Sequence, residues 1–213
     1  MKYDTLVWDW TGTLFDDLPI SVDVINTLLT QENLPTLPGA DAYRTVFRFP
    51  VIDCYVDLGF DFSKTPFAVL ADRYIAAYAA AQYRAELAAD ALPTLDALQA
   101  RGIRQVVLSA GQQEQLLEQM SPFPLLHDLS AIRGVAAHYG HSKRELAVNW
   151  MAARGLDPQR TLFIGDTVHD FEVASACGAD CLLVTTGHQS EERLRATGAP
   201  VIHTLSEVPA FLN

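Results

Sequence analysis

Short blocks of consecutive apolar residues recur along the chain and end in small or acidic residues. Thr5-Leu6-Val7-Trp8 stops at Asp9, and Gln105-Val106-Val107-Leu108 stops at Ser109-Ala110-Gly111. Thr161-Leu162-Phe163-Ile164 stops at Gly165-Asp166, and Cys181-Leu182-Leu183-Val184 at Thr185-Thr186-Gly187. Unbroken apolar runs of this length predict strands buried on both faces. Val201-Ile202 adds a candidate edge strand. Helical spacing fills the gaps, over 94–100, 112–120, 142–154, 168–177 and 191–197. Strands alternating with helices predict an α/β fold, a mostly parallel sheet with helices on both faces.

Residues 16–91 break the alternation. Val22, Ile25, Leu28 and Leu29 recur at helical steps within 21–31. Thr65-Pro66 reads as a cap with proline at the first helical position. An Ala-rich helix should follow to about Leu87, with Phe67, Leu70, Tyr74 and Tyr78 on one side. Leu34-Pro35-Thr36-Leu37-Pro38-Gly39 and Phe49-Pro50 read as loops. The expectation is an all-helical insert after the first strand, hinged near 15–19 and 90–93. The core would then be 1–15 and 92–213, and the insert 16–91.

In an open parallel sheet the site lies at the carboxyl ends of the strands. Three of those ends carry Asp9, Ser109 and Asp166. A carboxylate at Asp9 can act as a covalent nucleophile or a metal ligand. Gly12 lets the backbone approach an anion closely. Ser109 precedes a helix start, an anion site by geometry. Lys143, in Gly140-His141-Ser142-Lys143-Arg144-Glu145, lies at a helix start where the dipole does not favour a cation, so a paired anion explains it. Asp166 and Asp170, four residues apart, can face one spot if a helix begins near Thr167. Carboxylates, water and a phosphate oxygen suit a hard cation, Mg²⁺.

Composition narrows the partners. The 213 residues hold 15 Lys+Arg and 26 Asp+Glu, a formal charge of 15 − 26 = −11. That argues against a general nucleic-acid binder, whose phosphate contacts need clustered cations, and against docking on anionic membranes. No segment approaches the ~20 apolar residues of a membrane span. Asp4 and Asp9 interrupt what would be a signal-peptide core. Cys54, Cys177 and Cys181 form no zinc pattern and read as reduced thiols of a cytoplasmic protein.

The stretch Val7-Trp8-Asp9-Trp10-Thr11-Gly12-Thr13-Leu14-Phe15-Asp16 resembles the first motif of the haloacid dehalogenase-like hydrolases. Val106-Val107-Leu108-Ser109 resembles the second motif, Lys143 the third, and Gly165-Asp166-Thr167-Val168-His169-Asp170 the fourth. The helical insert resembles the cap of the phosphoglycolate phosphatase-like branch. The resemblance implies a Rossmann-like core and a Mg²⁺-dependent phosphatase acting on a small phosphorylated metabolite; a monomer or homodimer is expected. It implies that Asp9 attacks phosphorus and that Ser109 and Lys143 hold the phosphoryl group. Mg²⁺ would be bound by Asp9, the backbone carbonyl of Thr11 and Asp166, with Asp170 supporting the metal shell or pairing with Lys143. Thr13, Ser109, Ala110, Gly111 and Lys143 would contact substrate.

Thr11 departs from the pattern. The family's phosphatases usually carry there a second Asp, which protonates the leaving group and activates water. A slow phosphatase, or one preferring good leaving groups, is therefore expected, since such acid–base help is typically worth about 10²–10⁴-fold. Two alternatives stay open: a catalytically weakened protein that binds a phosphorylated ligand or a protein partner, and a phosphonatase-like hydrolase using Lys64 as an amine. Within the insert, Arg48 is favoured over Arg44 as the group that grips a substrate anion. His169 is expected on the outer face of its helix, and Trp10 under the cap opening.

Overall fold

The computed structural model describes residues 2–123, 129–136 and 142–212. Its centre is a six-stranded parallel sheet in the order β5-β4-β1-β6-β7-β8. The strands are β1 (Thr5–Trp8), β4 (Arg104–Gln112), β5 (Ala131–Val135), β6 (Thr161–Gly165), β7 (Asp180–Val184) and β8 (Val201–Ile202). β1 lies between β4 and β6, so the chain builds outward from it in both directions. The strand order reverses there, and the crevice at the carboxyl ends of these three strands is where such sheets bind ligands.

Side chains alternate across the sheet with the two-residue strand period. Leu6, Trp8, Leu162 and Ile164 enter one apolar core, and Val7, Phe163 and Leu183 enter the other. Helices α5 (Ala91–Gln99), α6 (Gln113–Met120), α7 (Lys143–Arg154), α8 (Val168–Ala176), α9 (Glu191–Arg195) and α10 (Val208–Phe211) connect or flank the strands. β5 has no counterpart in the sequence reading. Arg133 and Gly134 break its apolar run, and it pairs on one side only, with β4.

Between β1 and β4 the chain forms α1 (Leu18–Gln31), α2 (Ala40–Val46), α3 (Val51–Asp57) and α4 (Phe67–Ala81). α1 buries Leu18, Ile20, Val22, Val24, Ile25, Leu28 and Leu29, the last four at helical spacing, and packs on α4. α2 and α3 were not expected, because at seven residues each they are too short to show a period. α4 starts one residue after Pro66, which takes the cap position itself, and stops at Ala81 rather than near Leu87. The insert is also not purely helical at its ends. β2 (Phe15–Asp16) and β3 (Glu86–Leu87) pair antiparallel, Phe15 opposite Leu87, and tie the outgoing chain to the returning one. Two-residue strands carry no periodic signal.

Trp10 is fully buried, stacked on Phe15 at 5.1 Å between ring centroids, and donates its indole N–H to Gln119. It is a core residue.

Candidate active site

Asp9 follows β1, Ser109 is the sixth of the nine residues of β4, and Asp166 follows β6. These three strands are neighbours, so residues 157 positions apart in sequence (166 − 9) meet at one end of the sheet. Lys143 and Asp170 arrive on helix starts. Ser142 caps α7 in a reciprocal box with Glu145, which makes Lys143 the first residue of the helix. Thr167 caps α8 in the same way with Asp170. Gly140 and His141 lie outside the described residues.

The Lys143 ammonium sits 2.6 Å from Asp9 Oδ1 and 2.5 Å from Asp170 Oδ1. Asp170 Oδ2 accepts from the Thr167 hydroxyl at 2.6 Å and its backbone N–H at 3.1 Å. Asp170 therefore pairs with Lys143, one of the two roles expected for it. Asp166 accepts from the Thr13 hydroxyl at 3.0 Å and from the His188 backbone N–H at 2.7 Å. Thr13 thus holds Asp166 instead of lining the cleft, which corrects its expected place as a substrate contact.

Backbone approaches Asp166 from two sides. A Cβ on Gly187 would fall 2.0 Å from Asp166 Oδ2, and one on Gly12, at φ +77°, would fall 2.4 Å from it. Gly12 does meet an anion, as expected, but the anion is the chain's own carboxylate.

Carboxylate oxygens of Asp9, Asp166 and Asp170 lie within 4.8 Å of one another, all buried. Three carboxylates thus face one ammonium. Burial pushes Asp9 up to about 8 despite the Lys143 charge, and pushes Asp166 up to about 6 against the pull of His188. Asp170 is buried too, but the Lys143 ammonium outweighs that and holds it below the usual carboxylate range. The Asp170 and Asp9 carboxylates raise Lys143 above the ordinary lysine value, over the opposing effect of burial. A compact, oxygen-only, net-negative donor set fits a small hard dication.

Above this floor is a cavity of about 420 Å³. Asp9, Thr11, Ser109, Ala110, Gly111, Lys143 and Asp170 line its bottom, and α1–α4 roof it. Ser109 accepts the Gly111 N–H at 3.0 Å. Arg48 is not part of it. Its guanidinium pairs with Asp57 and donates to the Asp53 carbonyl, so the expectation that it grips substrate is corrected. Arg44 is also engaged elsewhere, donating to the carbonyls of Gly187 and Thr186 at 2.9 and 3.0 Å. Both arginines satisfy acceptors within reach of short helices, which a sequence cannot locate. His169 turns toward the cleft, against expectation, with its ring 4.8 Å from that of Phe49. Lys64 is exposed and pairs with Asp61 at 3.1 Å, away from the cavity.

A buried dyad was missed. His188 Nε2 lies 3.0 Å from Asp17 Oδ1, and Asp17 Oδ2 accepts the Tyr78 hydroxyl at 2.7 Å. The dyad links the loop after β7 to the start of α1 and to α4. The available signal was that His188 follows Thr185-Thr186-Gly187, a strand end like those bearing Asp9 and Asp166. Burial lowers His188, but the Asp17 carboxylate overrides it and lifts the imidazole to about 9, while His188 holds Asp17 down against the same burial. His188 has its pKa raised on folding, so its contribution is complete below about pH 6.5 and is lost as pH rises through about 9. In metal-free buffer, His188→Gln should cost roughly 2–4 kcal/mol at pH 6. The gap in melting temperature from wild type should narrow by pH 9.5. A gap that stays constant with pH would exclude a charged dyad.

A sequence model described as haloacid dehalogenase-like hydrolase matches residues 6–184. The chain belongs to this family. The phosphoglycolate phosphatase of Caulobacter vibrioides is 29% identical over 220 residues, 96% of this chain and 89% of that protein. A haloacid dehalogenase-like hydrolase of Streptococcus pneumoniae superposes with a TM-score of 0.84 at 19% identity, over 100% of this chain and 99% of that one. Protein Tyrosine Kinase A of Mycobacterium tuberculosis does so at 0.82 with 20% identity, over 100% and 99%. At such identities these structures establish the shared α/β fold. Hydrolase and kinase names both occur on this fold, so the fold alone does not fix the reaction.

Among the described residues no helix is long and apolar enough to cross a membrane. Cys54, Cys177 and Cys181 are free thiols.

Proposed function

We propose that this haloacid dehalogenase-like hydrolase is a Mg²⁺-dependent phosphatase that acts on a small phosphorylated metabolite through an aspartyl-phosphate at Asp9. The observation that carries this reading is the position of Asp9. It stands at the switch point of the sheet, hydrogen-bonded to Lys143, beside Asp166 and Asp170 and open to the cavity. The name of the Caulobacter relative points the same way.

Asp9, Asp166 and the Thr11 carbonyl are the groups proposed to hold Mg²⁺. When bound, the dication would offset the negative charge of both the carboxylates and the phosphoryl group. It would also keep Asp9 ionised, against the burial that otherwise favours its proton. The remaining work falls to the chain. Asp9 offers a carboxylate oxygen to phosphorus. Lys143 meets the developing charge on the phosphoryl oxygens, a preorganised contribution that dominates phosphoryl transfer. Ser109, whose oxygen already accepts the Gly111 N–H, directs its own hydroxyl proton to a phosphoryl oxygen. Residues 16–91 are taken as the cap that excludes water, latched by Arg44 and by Arg193, which donates to the Phe47 and Thr45 carbonyls. The free thiols Cys54, Cys177 and Cys181 support a cytoplasmic location.

Thr11 leaves no carboxylate at the usual acid–base position, so hydrolysis of the aspartyl-phosphate should limit turnover. Rapid-quench kinetics on p-nitrophenyl phosphate with Mg²⁺ should show a stoichiometric nitrophenol burst followed by slower phosphate release. Nitrophenol and phosphate appearing together from the first turnover would contradict that order. A protein that binds beryllium fluoride with Mg²⁺ yet releases no phosphate would instead be the weakened binding member. The phosphonatase-like reading loses ground because Lys64, its amine, pairs with Asp61 outside the cavity.

A further inference from the structure

The cavity above Asp9 has a charged floor and an aromatic roof. Tyr43, Phe47, Tyr55, Phe67, Tyr74 and Tyr78 line it from α2, α3, α4 and the turn after α2. Lys143 is the only lysine or arginine among the described residues that line it. That ammonium is already shared between Asp9 and Asp170. His188 also lines the cavity, but its imidazole is already engaged by the Asp17 carboxylate at 3.0 Å. A second anionic group on the substrate, a carboxylate or another phosphate, would therefore enter the roof without a free counter-charge, and burying an unpaired charge is strongly unfavourable. Rings, in contrast, pack there over a large apolar area. The space is ample, since a cavity of roughly 150 Å³ already accommodates benzene and this one measures about 420 Å³.

Thr11 is an independent observation pointing the same way. It lines the cavity beside Asp9 but has no carboxylate to protonate a departing oxygen. A phenol, with a pKa near 10 like a tyrosine side chain, leaves as its anion far more readily than an alkanol, which is about as weakly acidic as water at roughly 15.7.

We propose that the substrate is an aryl phosphate, the phosphate monoester of a phenol, with its ring held under the aromatic roof. The proposal rests on the phosphatase reading above and names its substrate class. Asp9 forms an O–P bond as the P–O(aryl) bond breaks. The aryloxide departs with the bonding electron pair and takes its proton from solvent. Water then adds to phosphorus, the Asp9–phosphorus bond breaks, and the water proton leaves on the inorganic phosphate.

The test is a kcat/KM series on the wild-type protein with Mg²⁺: phenyl, 2-naphthyl and benzyl phosphate, 2-phosphoglycolate, and acetyl phosphate as a small control. Phenyl phosphate should exceed 2-phosphoglycolate by at least roughly 100-fold. Benzyl phosphate, with a similar ring but an alkanol leaving group, should lose at least roughly 100-fold in kcat/KM relative to phenyl phosphate. 2-Naphthyl phosphate should show a KM about tenfold below that of phenyl phosphate, from its added buried area. Ala71, on α4, also lines the cavity. Ala71→Trp should lower kcat/KM for 2-naphthyl phosphate relative to acetyl phosphate by about tenfold or more.

If acetyl and p-nitrophenyl phosphate are turned over through Asp9 but 2-phosphoglycolate equals or exceeds phenyl phosphate, only the aryl assignment falls. It falls equally if 2-naphthyl phosphate binds no better than phenyl phosphate. If no phosphate is turned over, acetyl phosphate included, both the aryl assignment and the phosphatase reading fall.

Discussion

Asp9→Asn should lower Mg²⁺-dependent turnover of p-nitrophenyl phosphate by roughly 10⁴-fold or more, the scale seen when a covalent nucleophile is removed. The nitrophenol burst should disappear with it. The amide keeps the shape of the carboxylate and still accepts from the Lys143 ammonium through its oxygen. Lys143 also retains Asp170 at 2.5 Å. Burial works against an ionised carboxylate at position 9, so a neutral group there relieves that cost. The melting temperature in metal-free buffer should therefore not fall. A stable Asn variant with undiminished turnover would remove Asp9 from the nucleophile role. Lost turnover with a lower melting temperature would point to a structural defect instead.

Lys143→Met has the second large effect, on both stability and rate. The Lys143 side chain is 4% exposed and bridges Asp9 and Asp170. Methionine retains much of the stem and removes the ammonium. Breaking a buried ion pair from one side typically costs about 3–5 kcal/mol, because the remaining charge is left uncompensated. For a chain of this size that corresponds to roughly 6–20 °C in melting temperature. Asp170 has a folded pKa below its unfolded value. The stability it gains from Lys143 is present above about pH 4 and is lost as pH falls through the lowered value. The difference between variant and wild type should therefore be largest near neutral pH and shrink in acid, as the unpaired carboxylates take up protons. Saturating Mg²⁺ should recover part of the loss at pH 7, by supplying positive charge to the same carboxylates. Turnover should still fall by roughly 10²–10³-fold, the usual effect of removing one preorganised charge partner. Melts at pH 7 and pH 4, with and without MgCl2, separate these effects. A melting temperature within about 1 °C of wild type at pH 7 would mean that the three carboxylates tolerate one another without the lysine.

The parts of the site that were legible in the sequence share a physical basis. Asp9, Ser109 and Asp166 each end or closely follow an apolar run, and a parallel sheet aligns the carboxyl ends of its strands. Reading strand ends was therefore sufficient to group them. Lys143 and Asp170 lie in helix-start contexts, and the capping boxes at Ser142–Glu145 and Thr167–Asp170 place them reliably. The arginines were different. Arg44 and Arg48 lie four residues apart, yet one reaches carbonyls of the loop after β7 while the other pairs within the insert. That distinction depends on how α2 and α3 pack, and neither helix is long enough to announce itself. Thr13 was placed in the right motif with the wrong partner, because its hydroxyl meets a carboxylate 153 residues away.

The sequence by itself determined the alternation of strands and helices, the interruption after the first strand, the five polar residues of the candidate site and the presence of Thr11 in the first motif. All of these follow from local periodicity, strand ends and helix caps, which short stretches of chain encode. Only the tertiary structure decided the Asp17–His188 dyad, the engagement of Arg44 and Arg48, and the aromatic character of the space above Asp9. Those depend on side chains from separate helices meeting across the cleft, and the packing geometry that brings them together is a property of the whole fold.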